Sequence, residues 1–340
     1  MKKLGVAIIG TGWVAPEHIR AFKMSPGAEV RAIVSRSEGK GRATAEKSGL
    51  ENCKVYTDYK ECLKDESIDI ICICTPNHLH CEQTILAAEA GKHILIEKPL
   101  AMTWEDCKRM RDAVQKAGVK TLVGFVGRFN PYMVTVKNLI KDGFLGKLFY
   151  AETDYWHKIN ESYPCYEWTA TKEVGGSSLL AGGCHAVDAM RQFMKPEVVS
   201  VTACTTSCDK TNFEYEGTIA IIVKFADGTC GKIGSSYDFI SPYIFNVRVF
   251  GNEGSLINDR IYAPHKINQQ QGYMQIPVKT LDSGDVVHHN FPEQDGYFVE
   301  CIINDVECES NIYDAMKTHE IIFAADASAE LGKTVELPLD

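Results

Sequence analysis

The sequence predicts two domains of different construction, an α/β domain over residues 1–124 and an α+β domain with a mainly antiparallel sheet over residues 125–340. Three observations carry this prediction. At about 150 residues per domain, a chain of 340 residues fits two domains better than one. Up to Phe125, short branched apolar segments alternate with helix-like ones, the pattern of a parallel sheet covered on both faces. Beyond Gly124 the alternating runs lengthen, and Ala226-Asp-Gly-Thr229 joins two of them as a tight hairpin.

In order, residues 4–9, 30–35, 68–74, 93–96 and 120–125 read as strands. Helical spacing covers residues 19–24, 81–90 and 104–117, and Gly91 and Gly118 close the last two as helix ends often are. The second half begins with a helix over 131–141. Strands over 147–157, 218–225, 229–239 and 245–250 follow, then two closing helices over 297–304 and 314–331.

A hydrophobic share of 45% with 24% charged residues is ordinary for a globular chain. Basic and acidic residues number 36 and 45, for a net charge of -9, and no block of like charge reads as a nucleic-acid tail. Thirteen cysteines are scattered, with only Cys72 and Cys74 two apart and no Cys-x-x-Cys pair. That usage points to reduced thiols in a cytoplasmic protein, with neither a disulfide framework nor a metal site. The opening Met-Lys-Lys has an apolar run too short for a secretory signal, and no run approaches the roughly 18 residues of a membrane span.

The first strand runs into Gly10-Thr11-Gly12-Trp13-Val14-Ala15, a Gly-x-Gly-x-x-Ala turn. Gly10 allows the tight turn, Gly12 lets the backbone approach a pyrophosphate, and Ala15 keeps the following helix close to the strand. Helix N-terminal amides then face the anion. Where a dinucleotide fold often carries a ribose-binding acid, this chain has Ser35-Arg36-Ser37. With Lys40 and Arg42 nearby, Ser35 and Arg36 suit a 2'-phosphate, which tilts the cofactor from NAD toward NADP; a solvated basic turn is the plainer alternative.

Three further motifs follow: Cys74-Thr75-Pro76-Asn77-His-Leu-His80, Ile96-Glu97-Lys98-Pro99 and Gly127-Arg128-Phe129-Asn130-Pro131. Together with the first turn, and with Gly251-Asn-Glu-Gly-Ser255 later, they resemble the Gfo/Idh/MocA oxidoreductase family over nearly the whole chain. The resemblance implies an N-terminal Rossmann dinucleotide-binding domain and a C-terminal α+β domain whose open sheet mediates a homodimer or homotetramer. It places Thr75, Pro76, Asn77 and His80 along the cofactor and Glu97 and Lys98 near the nicotinamide, with Lys98 on the reacting hydroxyl. Without it, Lys98 reads as an exposed lysine ending a strand.

Residues 178–188, Ser-Leu-Leu-Ala-Gly-Gly-Cys-His-Ala-Val-Asp, read as a helix that tolerates Gly182 and Gly183 at roughly 1 kcal/mol each relative to alanine. By resemblance this is the family's Gly-Gly-x-x-Leu-x-Asp-x-Gly-x-His helix, with Ala181 where the aspartate is expected. Helical spacing puts Ala181, His185 and Asp188 on one face, and the glycines are read as the place where cofactor and substrate lie close. An imidazole titrates near pH 6.5, so His185 is the candidate proton acceptor, with Lys98 on the same oxygen and Asp188 a secondary partner. Tyr155, Trp156, His157, Tyr166 and Trp168 suit stacking on sugar faces or simple core filling, with Tyr155 and Trp168 the substrate candidates and Arg128 shaping the cleft.

The function so implied is hydride transfer between NAD(P) and a sugar, inositol or related polyol. Two alternatives come from the same family resemblance. One is glycoside hydrolysis or lyase chemistry through a transient redox cycle on bound NAD; the other is dinucleotide sensing without catalysis.

Overall fold

The computed structural model describes residues 3–208, 212–281 and 284–340. Its contacts group into two compact units, residues 1–126 with 289–317 and residues 127–288 with 318–340, so the chain does not divide at a single point.

The first stretch alternates strand and helix as its sequence pattern requires: β1 (Leu4–Ile9), α1 (Ala15–Met24), β2 (Ala28–Val34), α2 (Glu38–Lys47), β3 (Lys54–Tyr56), α3 (Tyr59–Leu63), β4 (Ile70–Ile73), α4 (His80–Glu89), β5 (His93–Ile96), α5 (Trp104–Ala117) and β6 (Thr121–Val123). The six strands pair in parallel in the order β3-β2-β1-β4-β5-β6. This is the doubly wound Rossmann order, and it reverses between β1 and β4. Both faces are covered, which is why β4 is buried at every position and reads as an unbroken apolar run. Ser37, Asp58 and Thr103 cap α2, α3 and α5 by accepting a backbone N–H with the side chain. The N-terminus of α1 has no such cap, and its apolar face buries His18 among Ala15, Ile19, Ala21 and Phe22.

The second stretch contains α6 (Pro131–Lys141), β7 (Leu148–Trp156), α7 (Tyr166–Thr169), α8 (Cys184–Phe193), β8 (Val198–Thr206), β9 (Thr218–Phe225), β10 (Cys230–Ser236), β11 (Ile244–Gly251), β12 (Ser255–Ile257), β13 (Arg260–Tyr262), α9 (Pro264–Ile267) and β14 (Met274–Gln275). The last segment adds α10 (Phe291–Ile303), α11 (Ile312–Leu331) and β15 (Val335–Glu336). Among the described residues, nine strands form one open sheet in the order β14-β13-β12-β11-β7-β10-β9-β8-β15. All its pairings are antiparallel except β7 with β10. The expected hairpin joins β9 to β10, where the Asp227 carboxylate accepts the Thr229 N–H and hydroxyl. Burial along β9 alternates strictly, as a sheet with one covered face requires.

The run 178–188 is not one regular helix. Leu179–Gly183 is a π-helical turn that passes directly into α8. Its glycines are explained by the sheet beneath them, which corrects the expectation that cofactor and substrate require them. A Cβ at Gly182 would lie 2.6 Å from Tyr237 Oη and 2.9 Å from Tyr155, and one at Gly183 would lie 2.5 Å from Ser235 Oγ. The close approach also lets Ser235 donate to the Ser178 carbonyl at 3.0 Å and Thr153 donate to the Ala186 carbonyl at 2.9 Å. Gly183→Ala is therefore expected to lower stability by about 1–3 kcal/mol through overpacking, despite alanine's better helix propensity. Urea denaturation measures this, and a stabilised variant would contradict it.

Helix α10 starts at Phe291, earlier than helical spacing suggests, because Phe291 is buried and Pro292 is tolerated in a first helical turn. After α10 the chain lies along β6: Val123 N–H donates to the Ser310 carbonyl at 2.7 Å, and Ile312 N–H donates to Thr121 Oγ1 at 3.0 Å. Segment 289–317 thus completes the first unit. Among the described residues no helix is long and apolar enough to cross a membrane.

Candidate active-site residues in the two units

In the first unit, the motif residues leave the same edge of the parallel sheet. Gly10–Val14 follow β1, Ser35 and Arg36 follow β2, Thr75–Asn77 follow β4, and Glu97 and Lys98 follow β5. Gly10 has φ +102°, a left-handed backbone that favours glycine, and a Cβ there would lie 2.8 Å from the Cys74 carbonyl oxygen. The turn therefore rests on the end of β4. The N-terminus of α1, which no side chain caps, follows it directly. A turn that favours glycine, a helix N-terminus without a side-chain cap and the strand-order reversal fit the diphosphate of a dinucleotide.

At the end of β2, Ser35 is buried and Arg36 is exposed. The Ser37 hydroxyl caps α2 by accepting the Lys40 N–H, and Arg42 pairs with Glu38 at 2.6 Å on the helix surface. Of this basic group, Arg36 stands closest in sequence to the strand end.

Beyond β4, Thr75 Oγ1 donates to Gln83 at 2.6 Å, and Asn77 is buried. His80, expected along the cofactor, is buried with both ring nitrogens directed at backbone carbonyls, Pro99 at 2.8 Å and Thr75 at 3.0 Å. Burial pulls its pKa below the usual imidazole value. His80 thus braces the loop after β4 against the Lys98–Pro99 turn.

Sequence reasoning missed two residues here, His18 and Asp295. They form a buried cluster with Glu97 in which His18 Nδ1 lies 2.8 Å from Asp295 Oδ2 and Nε2 lies 3.1 Å from Glu97 Oε1. No local pattern signals an interaction across 277 residues of sequence.

In the second unit, Ala181 and His185 are the two half-buried residues of the otherwise buried run 178–190. Asp188 faces elsewhere. Its carboxylate takes a two-pronged ion pair from Arg128, at 2.8 and 2.5 Å, and a hydrogen bond from Thr318 at 3.1 Å. Arg128 is itself buried, so this guanidinium fastens α8. A Cβ at Gly127 would lie 4.0 Å from His185 Nδ1. Tyr155, buried on β7, lies 6.4 Å from the His185 ring between centroids. It belongs to an aromatic cluster with Tyr237, Tyr243, Phe245 and His157, and it shares a 3.1 Å hydrogen bond with His157 Nδ1. Burial raises the Tyr155 and Tyr237 phenols well above their usual pKa, so both hydroxyls stay protonated. Trp168 is half-buried on α7.

The start of the π-turn is tied down by Ser177, whose hydroxyl accepts the Leu180 N–H at 3.0 Å and donates to Asp326 at 2.9 Å. Burial raises the Asp326 carboxyl to about 7.

A six-stranded parallel sheet with a phosphate turn at its switch point, followed by an open mixed sheet, defines a two-part dinucleotide-dependent oxidoreductase. Residues 4–125 match the oxidoreductase family with NAD-binding Rossmann fold, and residues 133–257 match the GFO/IDH/MocA C-terminal domain; the chain belongs to the Gfo/Idh/MocA oxidoreductase family. It is similar to scyllo-inositol 2-dehydrogenase (NAD(+)) of Bacillus subtilis, with 28% identity over 97% of this chain and 95% of that one. Myo-inositol 2-dehydrogenase of Thermotoga maritima is 28% identical over 75% of each chain. Among solved structures, aldose-aldose oxidoreductase of Caulobacter crescentus superposes with a TM-score of 0.84 at 27% identity, over 99% of this chain and 100% of that one. The bound cofactor of such a domain is a nicotinamide dinucleotide.

Two outcomes follow from the second-unit contacts. Asp188→Ala leaves the Arg128 guanidinium buried without its carboxylate and is expected to lose about 3–5 kcal/mol in chemical denaturation. For Asp326, a folded-state pKa raised above the unfolded value means that the native chain binds more protons between about pH 4 and 7. Wild-type stability should fall as pH rises through that window. Asp326→Asn should flatten this part of the profile, as measured by melting temperature at pH 5 and pH 8.

Proposed function

We propose that this chain interconverts a CH–OH group and a carbonyl on a neutral sugar, inositol or related polyol, with NAD or NADP as hydride partner. The observation that carries the reading is that the loops after β1, β4 and β5 leave one sheet edge at the strand-order reversal. The named activities of the inositol and aldose relatives support the substrate class. Exposed Arg36 beside buried Ser35, without an acid in that pair, favours NADP over NAD.

A nicotinamide dinucleotide held by the loops after β1, β4 and β5 would supply the hydride acceptor. The chain supplies the remaining steps. Lys98 donates a hydrogen bond to the reacting oxygen, and His185 takes the hydroxyl proton as the carbonyl forms. Tyr155 and Trp168 offer faces for the ring, while Arg128 acts indirectly by holding α8 through Asp188. Glu97 belongs beneath the turn, and Thr75, Pro76 and Asn77 line the cofactor.

The outward face of the open sheet, where Ile222 is 53% exposed, supports a homodimer or homotetramer through this unit. Unbridged thiols at all thirteen cysteines suit a cytoplasmic location.

Testing requires both cofactors against a panel of polyols and aldoses, following reduced nicotinamide. Lys98→Ala and His185→Ala should each lower kcat/KM by about 10²–10⁴-fold. Wild-type turnover in both would refute these roles. Dinucleotide that copurifies with the chain and cycles without net reduction would refute the dehydrogenase reading.

A further inference from the structure

We propose that His18 is a positioning residue: held between Asp295 and Glu97, its imidazole fixes the Glu97 carboxylate under the Lys98 backbone and so sets the electrostatic surroundings of the Lys98 amine. The proposal rests on the reading of Lys98 given above and adds the group that sets its surroundings.

The His18 ring is wholly buried, and both its nitrogens face carboxylate oxygens. Burial raises the Asp295 carboxyl and the His18 charge opposes that rise; as carboxylates both partners only accept, and an imidazolium donates to both. Burial opposes that charge, but Asp295 and Glu97 outweigh it and raise the His18 pKa well above the usual value. Burial also disfavours a charged Glu97, yet the His18 contact, with smaller help from the Lys98 charge and backbone N–H, brings its carboxyl below the ordinary range. Glu97 is thus an anion whose counter-ion lies beneath it. Among the described residues, His18, Cys72 and Cys74 are close enough to suggest a metal site, but an imidazolium has no lone pair to ligate one.

Glu97 is fixed at both oxygens. Oε1 takes the His18 contact, and Oε2 accepts the backbone N–H of Lys98 at 3.2 Å. Space for the carboxylate comes from Gly124, where a Cβ would lie 2.7 Å from Oε1. Asp295 is fixed in turn, because Oδ1 accepts from Gln294 at 3.2 Å, and the His18 ring packs edge-on to Phe291 at 4.7 Å. Without the His18 charge, the buried Glu97 carboxylate would depend more heavily on the Lys98 amine, whose charge already acts on it.

The test uses the full chain carrying His18→Gln or Asp295→Asn, the second of which weakens the clamp without removing the ring. Thermal unfolding and titration with reduced dinucleotide establish fold and cofactor affinity. Amine labelling with trinitrobenzenesulfonate, mapped by mass spectrometry, then compares Lys98 with exposed Lys64 in the same sample. We expect the Lys98-to-Lys64 labelling ratio to change by about threefold or more, and kcat to fall by about tenfold with cofactor affinity held within about twofold. A folded His18→Gln chain with an unchanged ratio overturns the proposal. So does loss of cooperative unfolding and dinucleotide binding in both variants, which would make His18 a residue of general stability. An altered ratio with wild-type turnover leaves the clamp standing and refutes the catalytic reading of Lys98 instead.

Discussion

Parallel pairing of β1 with β4 is the constraint on which the first unit depends. The register runs from Val6 opposite Ile70 to Ile9 opposite Ile73, so the chain leaves both strands at the same level. Cys74 N–H then donates to the Ile9 carbonyl at 2.9 Å, and Gly10 turns directly over the Cys74 carbonyl. Any side chain at Gly10 would push the turn away from β4 and separate two loops that must serve one ligand. Because every strand of this sheet runs in the same direction, the loops after β2 and β5 emerge at that edge too.

In the second unit, close approach of backbone to sheet does comparable work by a different route. The glycine pair above β10 brings the π-turn down onto Ser235 and the aromatic cluster, and α8 continues from it with His185 on its accessible side. A π-turn is uncommon and less well bonded than an α-turn, so it persists where packing fixes it. Here that packing includes the Ser178 and Ala186 carbonyls, each receiving a hydroxyl from the sheet. The Arg128–Asp188 pair fastens the next turn. Such a buried pair is weak evidence for net stability, but it strongly restricts how the helix can rotate.

What the sequence made legible was periodic or local. β1, β5, α5, α6 and β9 appear at the predicted bounds because branched apolar runs, helical spacing and glycine or aspartate punctuation are properties of neighbours in the chain. Strand β8 was not read, since it begins apolar and ends in Cys204-Thr-Thr206 with exposed positions in succession, which blurs the period of two. Nor was the π-turn, because residues 179–183 fit ordinary helical spacing and the steric reason for their glycines lies on β7, β10 and Tyr237. The His18–Glu97–Asp295 cluster was illegible for a stronger reason. Its members stand singly in three unrelated segments, and a histidine on an apolar helix face has the same sequence signature whether or not carboxylates await it.

Ala181 stands where the family resemblance leads to the expectation of an aspartate. With alanine in place of the family aspartate, the preceding turn of the helix supplies no carboxylate to orient His185. Asp188 cannot readily substitute, because both its oxygens face Arg128 and one also receives the Thr318 hydroxyl. Diverting Asp188 toward the imidazole would strip a buried guanidinium of its partner, which costs more than a single neutral hydrogen bond returns.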